Sequence, residues 1–571
     1  MTLRKYDISL SVRAPFLFAS EEVGAFGYDM VAHKTNHGRA LIPDSQVRGL
    51  ILHGLHALEE VGHGAAGALI ACFGSEGEDA TPVRRIKQQT GAPQGAAEGR
   101  RGRVSVSDFV SDKQISQTLP PAPRVALDEE TGAAKPGQLV AVEQCFPPGE
   151  KVTFSGTFHA YVEEDIAATL ELALGYHTAI GKLKSVGFGV LEDVNCAPAA
   201  LAERVTPPEI GGEAATLRWR FNVDRAYLVD ADLAAANAYV GKPAIPGGAL
   251  KGLVAKHLEQ AGASPEAFTA LSAVRFGFAR PLRHWPAFPR SLVYDDGRKA
   301  IIDLALEGVD AAEGALSSVV DAGVDDLPDD AFDRKEEAKY ASYFAARGHT
   351  RPRPEPAYQT RIHVAIHREL QSAIDKQLFS TQAVIPPEGG FEAQVDFPAG
   401  VAEAGGREIV EAIAGALAGL GRTDAVLEPT GLSALPPAPA PTVGQDITLR
   451  LETPAFLLAE WDMSDPARAY AEAWRAILPG VEMRAHFTSE ALIGGYLARR
   501  FGETRESYAP FMLTQAGSVF CLDVSGCEAA DVDRIFLTGI CAPRFAGDTP
   551  TTWENCPYVA ANGYGAVVIH E

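Results

Sequence analysis

Two stretches of this chain repeat the same helix start. "ALIPDSQVRGLILHGL" from residue 40 resembles "PAIPGGALKGLVAKHL" from residue 243, and Ile42 pairs with Ile245 at an offset of 203 residues. The later "CFG" at 72–74 and "RFG" at 275–277 keep that offset. A duplication of this length indicates that the chain folds as successive related modules and not around a single core.

A second repeated block follows at a larger offset. "VALDEETGAAKPGQLVAVEQCFPP" (125–148) pairs with "VAIHRELQSAIDKQLFSTQAVIPP" (364–387) without a gap, at an offset of 239 residues. The stretch 303–337 between the repeated blocks of the second copy is rich in acidic residues, and its length accounts for much of the increase in offset. We interpret it as an acidic surface insertion near 300–340.

A third module is indicated by its two ends. "ISLSVRAPFLFA" from residue 8 resembles "ITLRLETPAFLLA" from residue 447, and "GFGVLED" from 187 resembles "GYGAVVI" from 563. Spacers rich in proline, alanine and glycine separate the three modules. The predicted domains are 1–205, 214–430 and 444–571.

The periodicity of the apolar residues predicts the fold class. Ile8, Leu10 and Val12 alternate with polar residues, which is the period of a half-buried strand. A helix is predicted after the first repeated proline, with Asp44 or Ser45 as its N-cap. Strand, helix, further strands, a second helix and a glycine-rich return are typical of an α+β, ferredoxin-like module.

Composition excludes some classes of protein. A net charge of −23 argues against indiscriminate nucleic-acid binding, because lysine and arginine supply the affinity for phosphate, although a local basic track remains compatible with it. The seven cysteines are scattered without a CxxC pair, which predicts reduced thiols in a cytoplasmic protein. No apolar run is long enough for a membrane helix, so we expect no membrane partner.

Both helix starts carry a cation followed by a glycine. Arg48 precedes Gly49 in the first copy, and Lys251 precedes Gly252 in the second. A cation is unfavourable at the positive end of a helix dipole, and an interior glycine costs about 1 kcal/mol relative to alanine. The recurrence favours close approach of a phosphate backbone, against the alternative of a solvated cation beside a packing glycine.

A glycine turn and two basic runs are further candidates for phosphate binding. In "GKLKSVGFGVLE" (181–192), lysines precede a Gly-Phe-Gly turn, so that ammonium and backbone N–H groups could hold phosphates. The basic runs are "RRGRVSVSDF" (100–109) and "RGHTRPRPEPAYQTRIHVAIHRE" (347–369). Each run could instead be an ordinary solvated face. The predicted RNA-binding residues of these three segments are Lys182, Lys184, Gly187, Gly189, Arg101, Arg103, Arg361 and Arg368.

These motifs together resemble the RAMP superfamily of CRISPR-associated proteins, in particular backbone subunits of type III effector complexes. The resemblance rests on "IPDSQVRG", "IPGGALKG", the FG pairs, "RGRVSVSDF", "RVALDEETGAAKPGQLVAVE" and "IGKLKSVGFG". It covers most of 1–200 and, less closely, 214–430. Residues 444–571 resemble the C-terminal half of the larger type III-D subunit through "LTQAGSVFCLDV" and "NGYGAVVI". The chain therefore resembles a fusion of a backbone-type subunit with that larger subunit.

The resemblance implies tandem RRM-like modules along a guide RNA, with target RNA, other RAMP subunits and a large signalling subunit as partners. It also implies that an Asp in the loop before the helix start assists metal-dependent cleavage of the paired target RNA. Asp29 lies at that position, thirteen residues before Ile42, and Asp232 lies thirteen residues before Ile245. We therefore expect Asp29, with Asp232 as a weaker second candidate, to use Mg²⁺ or another divalent cation, with Asp29 as its ligand.

Two other functions are compatible with the sequence. The chain could be a non-catalytic scaffold that caps the 5′ end of the guide RNA. It could also be a RAMP-type endonuclease that processes precursor guide RNA with histidines as acid and base. The second reading is weaker because His363 and His367 align with Arg124 and Asp128 at the offset of 239, so the histidine pair is not part of the shared module.

Overall fold

The computed structural model describes most of the chain. The described residues are 1–20, 27–35, 37–74, 102–116, 118–127, 131, 133–210, 213–235, 238–282, 287–295, 300–308, 356–366, 373–401, 403–436, 444–458, 465–495, 509–546, 549–553 and 555–571. Most of the acidic stretch 303–337 lies outside them, as do Arg101 and Arg368.

The first module contains ten strands and three α-helices within its described residues. The strands are β1 (Thr2–Arg13), β2 (Ala19–Ser20), β3 (Val31–Ala32), β4 (Arg39–Ile42), β5 (Val104–Val106), β6 (Phe109–Gln114), β7 (Ala122–Leu127), β8 (Ala134–Val142), β9 (Lys151–Val162) and β10 (Val190–Ala199). The helices are α1 (Asp44–Glu60), α2 (Gly64–Cys72) and α3 (Ala167–Gly175), and a 3₁₀ turn spans Lys184–Val186.

The second module adds the following elements. Its strands are β11 (Ala215–Val223), β12 (Ala231–Ala235), β13 (Ala238–Gly241), β14 (Arg275–Phe276), β15 (Arg280–Pro281), β16 (Leu292–Asp295), β17 (Ala300–Asp303), β18 (Tyr358–Ile366), β19 (Ala373–Val384), β20 (Phe391–Phe397), β21 (Leu417–Leu420) and β22 (Ala425–Leu435). Its helices are α4 (Gly247–Ala261), α5 (Pro265–Ala273), α6 (Leu304–Glu307) and α7 (Glu403–Ile413).

The third module completes the chain. Its strands are β23 (Asp446–Leu451), β24 (Glu482–Phe487), β25 (Glu490–Gly495), β26 (Ala509–Thr514), β27 (Val519–Asp523), β28 (Arg544–Ala546), β29 (Thr549–Pro550) and β30 (Val567–Ile569). Its helices are α8 (Pro466–Ile477) and α9 (Ala529–Thr538), and a 3₁₀ turn spans Ala560–Asn562. No helix within the described residues is long and apolar enough to cross a membrane.

The three main sheets share one topology. In each sheet, the opening strand lies between two other strands: the last strand of the module and the strand that precedes the module's last α-helix. β1 lies between β10 and β9, β11 between β22 and β20, and β23 between β30 and β27. All these pairs are antiparallel. A helix (α3, α7 or α9) lies between the last two of these strands in sequence. The chain therefore has the mixed α+β, ferredoxin-like architecture that its periodicity predicts.

Alternation along the opening strands places their apolar residues in separate cores. Ile8, Leu10 and Val12 are buried in the first sheet. Trp219 of β11 and Trp474 of α8 are the largest buried side chains of the second and third cores. Burial of apolar surface on one face of each sheet is the main force that holds these modules together.

The two repeated helices begin where the sequence repeat predicts, but the first is capped differently. α1 and α4 each start directly after the repeated proline, Pro43 or Pro246. Pro43 is the N-cap of α1, not Asp44 or Ser45, and it offers no side-chain cap. Asp108, from the segment between β5 and β6, instead accepts a hydrogen bond from the Asp44 N–H at 2.9 Å. Local sequence could not reveal a cap that comes from a distant segment.

The second repeated block forms the same hairpin in both modules. Val125 of β7 pairs with Leu139 of β8, and Val364 of β18 pairs with Leu378 of β19. Both members of the second pair lie 239 residues after their counterparts. The strand register therefore reproduces the offset found in the sequence.

Candidate functional site

Asp29 is fixed to the edge of the β7–β8 hairpin. Its backbone N–H donates to the carbonyl oxygen of Ala141 at 2.9 Å, and the Ala141 N–H donates to the Asp29 Oδ2 atom at 2.7 Å. The residue is exposed, and within the described residues its Oδ1 atom accepts no hydrogen bond. One carboxylate oxygen is thus anchored while the other faces solvent.

The rest of this loop is braced by an ion pair and by backbone hydrogen bonds. Lys34 pairs with Glu143, and the second carboxylate oxygen of Glu143 accepts a hydrogen bond from the Ala32 N–H at 3.0 Å. Glu143 follows β8 directly, and its N–H donates to the Met30 carbonyl oxygen at 2.9 Å. The loop therefore holds Asp29 on a defined support. Sequence reasoning missed Glu143, because its contacts with Ala32 and Lys34 join segments that are distant in sequence.

His33 contributes a neutral imidazole to this region. Burial, and after it the positive charges of Arg361 and Lys182, lower its pKa to about 4. His33 is therefore uncharged near neutral pH and able to accept a proton only weakly. No group of three or more His, Cys, Asp or Glu side chains that could hold a metal ion occurs among the described residues.

Asp232 has different surroundings from Asp29. It is exposed and forms an ion pair with Lys242 at 2.8 Å, and Lys242 also lies 3.5 Å from Asp230. Burial alone would lower the pKa of Lys242, but the two carboxylates outweigh that effect and raise it. The Asp232 carboxylate thus already has a cationic partner within its own module.

Strand register shows that Asp232 is not the structural counterpart of Asp29. Met30 bridges in parallel to Val142 of β8. Thr381 of β19 lies 239 residues after Val142 and takes the same place in the second hairpin. Because Tyr239 pairs in parallel with Thr381, Tyr239 corresponds to Met30. The residue that corresponds to Asp29 is therefore Ala238.

The first strands of the two hairpins, β2 and β12, also show that Asp232 does not correspond to Asp29. Ser20 of β2 pairs with Val31, whereas Asp232 of β12 pairs with Val240. Asp232 consequently corresponds to Ser20. The equivalence inferred from the constant offset of 203 is wrong, because the two hairpins differ in length.

The repeated cations Arg48 and Lys251 both reach the end of the next helix. Arg48 donates to the carbonyl oxygen of Phe73, the C-cap of α2, at 2.7 Å. Lys251 donates to the carbonyl oxygens of Val274, the C-cap of α5, at 2.9 Å and of Ser272 at 3.0 Å. Burial lowers the pKa of Lys251 to about 8. A cation at a helix C-terminus is favourable, so these contacts explain the recurrence without RNA; a role in RNA binding stays a prediction.

The glycines beside these cations leave open space. A Cβ atom built at Gly49 or Gly252 would meet no neighbouring atom within 4 Å outside its own helix turn. By contrast, a Cβ atom at Gly54, on the buried face of α1, would lie 1.8 Å from the Ala173 carbonyl oxygen. Packing therefore explains Gly54 but not Gly49 or Gly252, which is consistent with close approach of a ligand at those two positions.

The glycine turn presents its two lysines to solvent. Lys182 and Lys184 are exposed, while Leu183 between them has a left-handed backbone (φ 62°) and packs against the first core. Gly189 (φ 66°) is required by packing, because a Cβ atom there would lie 2.0 Å from the Ile180 carbonyl oxygen. Gly187 (φ 87°) has open space around it.

Arg361 links the first two modules. It pairs with Asp44 at the start of α1 and with Asp108, which caps that helix. Arg103, from the other basic run, makes its described contacts within the first module: its N–H donates to the Cys72 carbonyl oxygen at 2.6 Å. RNA binding by Arg103 and Arg361 stays a prediction.

The second helix start is contacted by the third module. A Cβ atom built at Gly247 would lie 2.7 Å from the carbonyl oxygen of Asn562, and one at Gly248 would lie 3.2 Å from the Asn562 side chain. Asn562 belongs to the 3₁₀ turn before the final glycine loop. Both repeated helix starts therefore carry a contact from the following module.

One family model matches part of the chain. The RAMP superfamily model matches residues 16–192, a segment that includes the Asp29 loop, α1 and the glycine turn. None of the curated proteins compared matches the sequence.

Three solved structures show weaker likenesses. "Cryo-EM structure of the Type III-B Cmr-beta bound to cognate target RNA and AMPPnP, state 1" is 10% identical, covering 53% of this chain and 86% of that chain, with a TM-score of 0.28. "Cryo-EM structure of the Type III-B Cmr-beta bound to cognate target RNA" is 16% identical (34% and 62% covered, TM-score 0.21). "Type IV-B CRISPR Complex" is also 16% identical (36% and 95% covered, TM-score 0.22). These scores are too low to support conclusions about this chain, and the RAMP superfamily match is confined to residues 16–192.

Proposed function

We propose that this chain is a guide-RNA-binding subunit of a CRISPR effector complex. The observation that carries the proposal is the RAMP superfamily match over residues 16–192, which contains the exposed Asp29 loop and the exposed lysines of the glycine turn. The open space at Gly49 adds a point where an RNA backbone can approach α1. The partners that follow are guide RNA, target RNA, other RAMP subunits and the large signalling subunit.

The finer proposal is that Asp29 takes part in cleavage of guide-paired target RNA. Its Oδ2 atom is held by the Ala141 N–H at 2.7 Å, so the carboxylate has a fixed orientation toward solvent. A carboxylate in this position can orient the 2′-hydroxyl of a distorted nucleotide and accept its proton. His33 nearby stays neutral near pH 7, because its pKa is lowered to about 4, and adds no competing charge.

A divalent cation fits this proposal if it is bound by the Asp29 carboxylate and by phosphates of the RNA together. Mg²⁺ is commonly held by one or two carboxylates together with substrate phosphates, so a complete protein cage is not needed. Asp29 offers one exposed carboxylate oxygen for that purpose. When bound, the cation would neutralise charge that develops on the phosphate and the leaving oxygen.

The scaffold reading remains the second candidate because of one observation. The two helix starts predicted to receive phosphates already carry contacts from the chain itself, Arg361 at Asp44 and Asn562 at Gly248. Such contacts give the helix starts a role in holding the modules together. A subunit that only shapes and caps the guide needs no cleavage residue. Cleavage at Asp29 and capping by the third module are compatible on one chain.

Binding of purified wild-type chain to guide RNA tests the proposal, and incubation of the assembly with unpaired precursor RNA separates it from the processing enzyme. We expect guide RNA to be retained and precursor RNA to remain uncut without a paired target. Cutting of the precursor alone would instead support the processing endonuclease, and failure to retain guide RNA would contradict RNA binding itself.

A further inference from the structure

Three rings meet on the surface of the first module. His53 projects from α1, and Tyr176 and His177 follow the end of α3. The ring centroids are 5.5 Å apart for His53 and Tyr176, 5.3 Å for His53 and His177, and 5.5 Å for Tyr176 and His177. We call these three residues the ring cluster.

The ring cluster is exposed where an ordinary aromatic cluster would be buried. Tyr176 is 53% exposed, His53 is exposed and His177 is half-buried, with its Nε2 atom 2.9 Å from the Leu50 carbonyl oxygen. Large apolar side chains also face solvent in this short segment, with Leu172 52% and Val186 50% exposed. A concentration of exposed apolar and aromatic groups marks an interaction surface.

Positive charge borders the ring cluster. Lys184 is exposed and close enough to His177 for its charge to lower the pKa of that imidazole, after the larger effect of burial. Leu183, which has a left-handed backbone, is half-buried against the first core, and the lysines on both sides of it are exposed. A strained non-glycine residue in such a turn is typical of a functional segment.

The same turn connects the ring cluster to the Asp29 loop. The Lys182 N–H donates to the Leu17 carbonyl oxygen at 2.8 Å, and the N–H of His33, four residues after Asp29, donates to the carbonyl oxygen of the next residue, Phe18, at 2.7 Å. A basic turn thus lies between an exposed carboxylate and an exposed set of rings. Lysines hold phosphates, and flat rings stack on bases whatever their identity.

We propose that the ring cluster is a stacking site for an unpaired RNA base, with Lys182 and Lys184 holding the neighbouring phosphates. This inference rests on the proposed RNA-binding function and adds the part of the ligand that is recognised: a nucleotide outside a duplex. Tyr176 supplies the main stacking face because its ring is the larger of the exposed pair. Protein docking on the same apolar surface is the competing occupant, and charge favours RNA, because two exposed lysines complement phosphate.

The test uses the full-length chain and a fluorescently labelled, unstructured oligouridylate, with the dissociation constant measured by fluorescence anisotropy. Tyr176→Phe keeps the ring, and Tyr176→Leu keeps an apolar side chain without it. Trp553→Leu is the matched control, because Trp553 is an aromatic residue of similar exposure, 52%, in the third module. Thermal melting of each variant checks that the fold is retained.

Stacking predicts that Tyr176→Phe and Trp553→Leu bind like wild type and that Tyr176→Leu binds about tenfold more weakly. Unchanged binding by Tyr176→Leu would overturn the stacking site while leaving the proposed function intact. If Tyr176→Leu binds RNA normally but Tyr176→Ser loses partner subunits from the purified assembly, the surface docks protein instead. Absence of RNA binding by wild type would overturn both the proposed function and this site.

Discussion

Asp29 lies two residues before the second strand of its hairpin, β3 (Val31–Ala32), whereas Asp232 lies in the first strand of the corresponding hairpin. Met30, next to Asp29, bridges to Val142, and Asp232 pairs with Val240 instead. The position equivalent to Asp29 in the second module carries alanine, Ala238. The duplicated chain therefore retains a carboxylate at this place in one module and not in the other.

Arg361 is expected to hold the first two modules together. Its pairs with Asp44 and Asp108 are mostly buried, and loss of the guanidinium leaves two carboxylates close to one another. Arg361→Gln should lower the free energy of unfolding by roughly 3 kcal/mol. Differential scanning calorimetry measures the effect. The control Arg407→Gln breaks an exposed pair with Glu403 and should cost under about 0.5 kcal/mol.

The cost of Arg361→Gln should depend on pH. Burial raises the pKa of Asp108, and the Arg361 charge opposes that rise. Without Arg361 the pKa rises further, so the folded variant takes up a proton more readily than the unfolded chain as pH falls. The variant should therefore recover stability in mild acid relative to neutral pH. An equal loss at both pH values would contradict this role for the pair.

His159 is expected to destabilise the folded chain in acid. Both of its ring nitrogens are buried without a hydrogen-bond partner among the described residues, and burial lowers its pKa to about 4. From pH 6.5 down to about 4 the unfolded chain binds a proton that the folded chain does not, so stability falls as pH falls. His159→Leu should remove about 3 kcal/mol of that acid-dependent loss.

Urea denaturation at a series of pH values measures this effect. His56→Leu is the control, because His56 is exposed on α1 and its replacement removes an imidazole without removing a buried one. A His159→Leu variant with the same acid sensitivity as wild type would show that another group controls it.

The repeated cations and the turn lysines should differ in their response to salt. Arg48 and Lys251 donate to helix-end carbonyls, so Arg48→Met and Lys251→Met should each lower stability by about 1 kcal/mol. Lys182→Met should instead reduce the slope of log affinity for RNA against log salt concentration by about 1. Titrations at several salt concentrations measure the slopes. A reduced slope for Arg48→Met or Lys251→Met with unchanged melting would restore the phosphate role predicted from sequence.

Repetition in the sequence was sufficient to predict much of the fold. Pro43 and Pro246 mark both helix starts, and the offset of the gapless block is kept in the pairing of Val125 with Leu139 and of Val364 with Leu378. These features are local in sequence, or keep a constant spacing, so the residue pattern contains them.

Contacts between distant segments could not be predicted in the same way. The Arg361 pairs with Asp44 and Asp108 join residues more than 250 positions apart, and no local pattern specifies them. The match of Asp29 to Asp232 failed because a constant offset ignores the shorter loop of the second hairpin. The ring cluster was missed because His53 and Tyr176 come together only when α1 packs beside α3.

Cleavage of guide-paired target RNA by the assembled complex with Mg²⁺ tests the central claim most directly. Wild type, Asp29→Asn and Asp232→Asn are compared, with guide and target binding measured in parallel. We predict that Asp29→Asn slows one cut by about 100-fold or more with binding unchanged, and that Asp232→Asn cleaves like wild type. An unchanged cleavage pattern with Asp29→Asn would contradict the assignment of Asp29.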